Sequence, residues 1–179
     1  DKGSFGADTY WGGKGLTQMA LYMTFAYEMG ETELFEKCRQ RLKDVMVNWL
    51  TYTPGENNFF FARYQRWGAL IGYDTSYDSD TFNDHHFHYG YYTYAGALLA
   101  LFDEDFCRNY GEMLTLVAKD YANWDKSDKD FPFFRTFDPW AGHSYAGGLG
   151  GWNGNGQEST SEAMQGWGGM YLLGVATGN

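Results

Sequence analysis

Five stretches of this chain repeat apolar residues at three- and four-residue steps, and short polar or glycine punctuation separates them. That period belongs to one face of an α-helix, so the chain is constrained to a helical architecture with its function carried between helices. Leu16, Met19, Ala20, Met23, Ala26 and Met29 predict a helix over 14–29, stopped by Gly30. Leu34, Phe35, Cys38, Leu42, Val45, Met46 and Trp49 predict a second over 32–50, with charges on the other face. Only Gly30-Glu31 lies between them, so the two are antiparallel neighbours. Further helices are expected over 87–102, over 105–123 (Phe106, Tyr110, Met113, Leu114, Val117, Tyr121) and over 157–175.

The remainder is irregular. Residues 51–82 hold the turn signal Pro54-Gly55 and the short apolar runs Phe59-Phe60-Phe61 and Leu70-Ile71, which read as short strands or extended loop. Residues 124–156 form a long loop with Pro132, Pro139 and Gly147-Gly148-Leu149-Gly150-Gly151. A loop of that length inside a compact unit is often functional. The layout suits an all-α fold of paired helices, part or all of a helical toroid, with function in loops at one end.

The net charge of −10 argues against nucleic acid and against an anionic membrane surface, since both need basic residues. A neutral polymer meets no such repulsion. The chain is rich in 15 Tyr, 14 Phe and 7 Trp, which pack cores but also offer flat faces to the C–H faces of sugars. Cys38 and Cys107 are too few for a disulfide scaffold and lack metal-binding spacing, and Cys38 falls on an apolar stripe as a buried thiol. The chain opens on Asp1-Lys2-Gly3 and stops at Gly178-Asn179 after an apolar pattern, which reads as a piece of something longer.

Two clusters can carry chemistry. Asn83-Asp84-His85-His86-Phe87-His88-Tyr89-Gly90 holds three of the four histidines where the irregular segment enters a helix. With helical geometry from Asp84, Asp84 and His88 share a face. Asn155-Gly156-Gln157-Glu158-Ser159-Thr160-Ser161-Glu162 opens the last helix, and Glu158 and Glu162 are again four apart. The plain alternative is that these acids complement a helix dipole beside a Ser or Thr cap. A metal site is another alternative for the histidines, although adjacent ones point apart and no HExxH spacing occurs. Paired carboxyls suit glycoside hydrolysis, which needs one neutral acid and one ionised base. Asp84 among aromatics fits the raised pKa, and Glu158 near a helix N-terminus fits the ionised form.

The Asn83–Tyr91 stretch resembles the DHHFHYGY signature of family 81 glycoside hydrolases, the endo-β-1,3-glucanases or laminarinases. Asn155–Ala163 is similar to that family's N-x-Q-E-S-[ST]-S-E-A signature. Phe137–Ser144 resembles its D-P-x-x-G-H-S-W segment, with Tyr145 in place of Trp, and Tyr10-Trp11-Gly12-Gly13-Lys14 resembles its Y-x-G-K stretch. The resemblance implies a partial (α/α)6 toroid, all-α, spanning 1–179 as one fragment of the catalytic domain without the family's β-sandwich domain. It implies inverting endo-hydrolysis of β-1,3-glucans such as laminarin, curdlan or fungal-type cell-wall glucan, in a secreted or wall-associated setting. Asp84 matches the general acid, Glu158 the general base, Glu162 an assisting glutamate and His88 a neighbour on the acid's face. No metal or organic cofactor is implied, and no nucleic acid or membrane partner; the rest of the parent chain is expected to complete the toroid.

Tyr10, Trp11, Tyr77, Tyr89, Trp140 and Trp152 are expected as sugar platforms, and His86, Asp138 and His143 as contacts to sugar hydroxyls. For Asp138 the competing reading is a turn residue before Pro139. Two other functions stay open: a fragment that binds glucan without cutting it, and a metal-dependent hydrolase built on the histidines.

Overall fold

A computed structural model describes residues 5–148 and 156–179. Its elements in order are α1 (Thr9–Glu28), α2 (Thr32–Leu50), β1 (Phe61–Tyr64), β2 (Ala69–Gly72), α3 (His85–Phe102), α4 (Glu104–Ala122), β3 (Phe137–Asp138), β4 (His143–Ser144) and α5 (Thr160–Thr177). The protein is mostly helical, and its few strands form two antiparallel pairs, β1–β2 and β3–β4. Short 3-10 turns occupy Gln65–Trp67 and Ser79–Thr81.

α3 lies at the centre. It packs against α1 on one side and α5 on the other, while α2 backs onto α1 and α4 onto α3. Fifteen of its residues are buried, from His85 to Ala100, so it is enclosed on nearly every face. α2 and α4 are amphipathic by contrast. Cys38, Leu42, Met46 and Trp49 of α2, and Phe106, Leu114, Val117 and Tyr121 of α4, face the core. Asp103 joins the two outer helices. It caps α4 by accepting from Phe106 N (2.8 Å), and it pairs with Lys43 (2.8 Å) and Arg39 (2.5 Å) of α2.

Glycines let the inner helices close up. A Cβ on Gly90 would stand 2.6 Å from Gly166 Cα, and one on Gly169 would stand 2.7 Å from Tyr94 N. Tyr121 of α4 donates to Gly166 O (2.9 Å) at the same crossing. On the open flanks, α1 and its C-cap expose Tyr22, Phe25 and Met29 and α5 exposes Met164, Tyr171 and Val175.

The second helix begins and ends where its pattern predicts. Other boundaries differ, and the largest differences lie at helix starts. α1 starts at Thr9 rather than at 14, because Asp8 accepts from the backbone N–H groups of Tyr10 (2.9 Å) and Trp11 (3.0 Å) and the helix runs straight through Gly12-Gly13. Asp84 is the residue ahead of α3, in the left-handed region at φ 59°, rather than a first-turn residue. α5 begins at Thr160 with Ser159 as its cap, so Glu158 sits outside it at φ 70° and does not share a helical face with Glu162. Both cysteines are free thiols, Cys38 buried and Cys107 half-buried.

The glycine crossing predicts that Gly90→Ala destabilises the fold by about 1–3 kcal/mol through overpacking, more than the ~1 kcal/mol of helix propensity it gains. Urea unfolding measures this, and an unchanged midpoint would mean that α3 and α5 part freely.

Candidate active site

The backbone of one loop residue links the two acidic segments. Ala146 O accepts from Asp84 N (2.9 Å), and Ala146 N donates to Gly156 O (3.0 Å), two residues before Glu158. The neighbouring bonds reinforce this staple. Gly148 N donates to Asn83 Oδ1 (2.9 Å), and Ser144 Oγ donates to Gln157 Oε1 (3.0 Å). The loop that carries β3 and β4 thereby ties the start of α3 to the approach of α5.

Backbone strain gathers at the same place. Tyr77, Asp78, Phe82, Asp84 and Glu158 all have positive φ, and none is a glycine. Such conformations persist where the surroundings over-determine them, and they cluster at functional sites.

The electrostatics are asymmetric. Burial pushes the Asp84 carboxyl up from its ordinary value of 3.8 to about 6, and the negative charges of Glu158 and Glu162 push the same way. All three carboxyls therefore act within one neighbourhood. Glu162 goes in the opposite direction. Burial works against its charge, but hydrogen bonds from Ser159, Tyr91 and Lys14 outweigh burial and hold its pKa below the ordinary value. Its Oε1 accepts from Tyr91 OH, from Tyr10 OH (3.3 Å) and from Lys14 Nζ (3.4 Å). Lys14 also donates to Tyr10 OH (2.9 Å), and this bond heads the causes that raise the lysine's pKa. Glu162 thus stands in the first turn of α5 as the dipole reading requires, yet its carboxylate is anchored to α1 and α3.

His88 is fully buried. Its Nδ1 bonds Thr9 Oγ1 (2.7 Å), Nε2 has no partner among the described residues, and burial lowers its pKa to about 3. Its ring lies 5.3 Å from that of Tyr10 and 6.3 Å from that of Tyr77. Tyr10 is the hub of this wall, in ring contact with Trp11, Tyr77, His88 and Tyr91. Trp11 (55%) and Tyr77 (54%) present open faces to solvent.

The other expected residues scatter. Tyr89 is fully buried and its hydroxyl donates to Leu70 O (2.6 Å), so it belongs to the core and not to a sugar platform. His86 is fully buried as well, with both ring nitrogens unpartnered among the described residues and a pKa lowered to about 4 by burial. It meets no open surface on which a sugar hydroxyl could reach it. Asp138 accepts from Trp140 N (2.9 Å) and Ala141 N (3.1 Å), as a turn residue does. His143 is exposed and its Nδ1 meets Ser144 O at 2.8 Å. Trp140 is 98% exposed. Trp152 lies outside the described residues.

The histidines of the first cluster diverge: His85 faces Asp120, His88 faces Thr9, and His86 bonds neither. Among the described residues no three His, Cys, Asp or Glu side chains gather as metal ligands. Tyr91 and Lys14 were not singled out from sequence, though the spacing offered a signal. Tyr91 follows His88 by three and Lys14 follows Tyr10 by four, the steps that place side chains on one helical face.

Known proteins resemble this chain in sequence and fold. The chain is 44% identical over 176 residues to a glucan endo-1,3-β-D-glucosidase of Acetivibrio thermocellus, covering 96% of this chain and 23% of that one. A protein of the same name from Thermobifida fusca is 41% identical, with 97% of this chain and 23% of the relative covered. A solved glycoside hydrolase family 81 structure from Clostridium thermocellum superposes with a TM-score of 0.91 at 43% identity, covering 97% of this chain and 25% of that one. The chain therefore spans about a quarter of the length of these relatives. The model of the glycosyl hydrolase family 81 C-terminal domain matches residues 3–179, and the chain belongs to that family.

Proposed function

We propose that this chain supplies the acid–base centre of an endo-hydrolase that cleaves β-1,3-glucosidic bonds in β-1,3-glucan with inversion, outside the cell or at a cell wall. The observation that carries this reading is the opposed tuning of neighbouring carboxyls: Asp84 raised to about 6 and Glu162 held low. One fold thereby keeps an acid protonated up to about pH 6 beside a carboxyl, Glu162, that is held ionised. The names of the relatives supply the substrate class.

In the mechanism we infer, Asp84 donates its proton to the departing glycosidic oxygen as the C1–O bond breaks. Glu158, exposed just ahead of α5, removes a proton from a water that attacks C1 from the opposite face. Inversion calls for about 6.5–9.5 Å between these two carboxyls, room for that water. Glu162, pinned by Tyr10, Tyr91 and Lys14, orients the water through its remaining oxygen. His88 is too enclosed to exchange protons with substrate; its part is to back the Tyr10 wall. Trp11, Tyr77 and the fully open Trp140 offer faces for glucose rings.

The architecture proposed is half of an (α/α)6 toroid. α1, α3 and α5 would be inner helices, α2 and α4 outer ones. The apolar flanks of α1 and α5 are the edges where further helices of the same protein would pack.

Asp84→Asn and Glu158→Gln in the full-length protein are each expected to lower laminarin hydrolysis by at least about 10²-fold, the ordinary worth of general acid or base catalysis. Substantial turnover in either would overturn the assignment. Because Asp84 acts only when protonated, kcat/KM should fall as pH rises through about 6, the pKa of the free acid. A profile flat from pH 5 to pH 8 would assign the acid elsewhere. Trp11→Ala and Trp140→Ala should raise KM for long glucans and leave kcat nearly unchanged; steady-state kinetics against chain length checks this.

A further inference from the structure

The mechanism leaves unused a fully buried carboxylate, Asp120 of α4, 0% exposed. Its Oδ1 meets His85 Nδ1 at 2.5 Å, and its Oδ2 accepts from Leu70 N of β2 at 2.7 Å. The other nitrogen of His85 donates to Ser79 O (2.8 Å), so the ring is clamped at both ends. Arg135 stands behind, its Nε 3.9 Å from Asp120 Oδ1 and donating to the Asp120 carbonyl at 3.0 Å. Arg135 also donates to Gly68 O, and its own carbonyl accepts from Tyr145 OH (2.5 Å). Three side chains, Asp120, His85 and Arg135, thus join α4, β2, the Ser79–Thr81 turn and the first residue of α3 to the loop that reaches Ala146.

His85 is the residue after Asp84. The Asp84 side chain makes no capping bond, and its backbone sits at φ 59°. Its aim therefore depends on the two peptides that flank it. Ala146 O holds the one before; in the one after, Asp84 O accepts from Phe87 N and His88 N (2.9 Å each), and the clamped His85 ring fixes the residue on its other side. The carboxyl rides on this strained backbone, so a shift of His85 is passed to it, and a displacement of ~1 Å from productive geometry costs on the order of 10²-fold in rate.

We propose that Asp120 is a positioning residue of the glucanase reaction: through His85 it fixes the direction in which Asp84 presents its proton to the leaving oxygen. This rests on the reading of Asp84 as the acid.

The test uses leaving groups of two kinds with the full-length protein. Laminarin needs a proton on its departing oxygen. A dinitrophenyl β-glycoside of a laminari-oligosaccharide does not: its C1–O bond breaks to release the phenolate anion, while water, deprotonated by Glu158, forms the new C1–O bond. Asp120→Ala should lower kcat on laminarin on the order of 10²-fold with KM little changed, and should largely spare the dinitrophenyl glycoside. Both rates are read on one preparation, so any unfolded fraction cancels from their ratio. Asp120→Asn can donate from its amide to His85 Nδ1 and still accept from Leu70 N, and should restore most of the laminarin rate. If Asp120→Ala does not accumulate as folded protein, His85→Gln breaks the clamp from the other side and is read by the same ratio. Equal losses on the two substrates, or an Asp120→Asn as impaired as Asp120→Ala, would overturn the proposal. Asp84→Asn is the control. If it lacks the split between substrates, the acid assignment itself fails; if it shows the split and the Asp120 and His85 variants do not, only the positioning role fails.

Discussion

The close approach of α3 to α5 is the contact on which the rest depends. Two helices this near need glycine on both sides, and Gly90 faces Gly166 with no room for a methyl group. That proximity brings the N-terminal ends of the two helices together. One end is preceded by Asp84 and the other carries Glu162 in its first turn, preceded by Glu158. The electrostatic coupling of the three carboxyls is a consequence of backbone packing some turns away. α3 can bear such packing because it is enclosed on nearly all sides, and its apolar residues have no solvent face to satisfy.

The fold keeps the site in a state that is locally unfavourable. Five non-glycine residues adopt left-handed backbone around it. A carboxyl is withdrawn from water far enough to resist ionisation, and two buried histidines keep ring nitrogens unbonded. Each of these costs free energy. They are sustained by a ring of ordinary bonds: the Ala146 staple, the Thr9–His88 pair, the Asp120 clamp and the anchors on Glu162.

Much of this is legible in the sequence. α2 shows its full extent because its stripe is amphipathic and its ends carry punctuation. The apolar period of α1 starts five residues after the helix itself, since neither Gly12-Gly13 nor the Asp8 cap carries it. The two acidic motifs were visible as unusual clusters, and their resemblance to a known family supplied the roles. Their geometry was not visible. Treating 157–162 as helix put Glu158 on the face of Glu162, whereas the helix starts at Thr160 and a positive φ turns Glu158 elsewhere. Tyr89 looked like a platform because the motif is aromatic, but on a helix buried all round an aromatic ring is core. Asp120 gave one overlooked signal: it lies between Val117 and Tyr121 on the apolar stripe of α4, where a lone acid must have a partner.

The two bare flanks differ in kind. α1 offers Tyr22, Phe25 and Met29, α5 offers Met164, Tyr171 and Val175, and α3 stands between them. In the longer protein that we propose, unlike faces call for unlike neighbours, so each edge selects the segment that can cover it and excludes the one suited to the other.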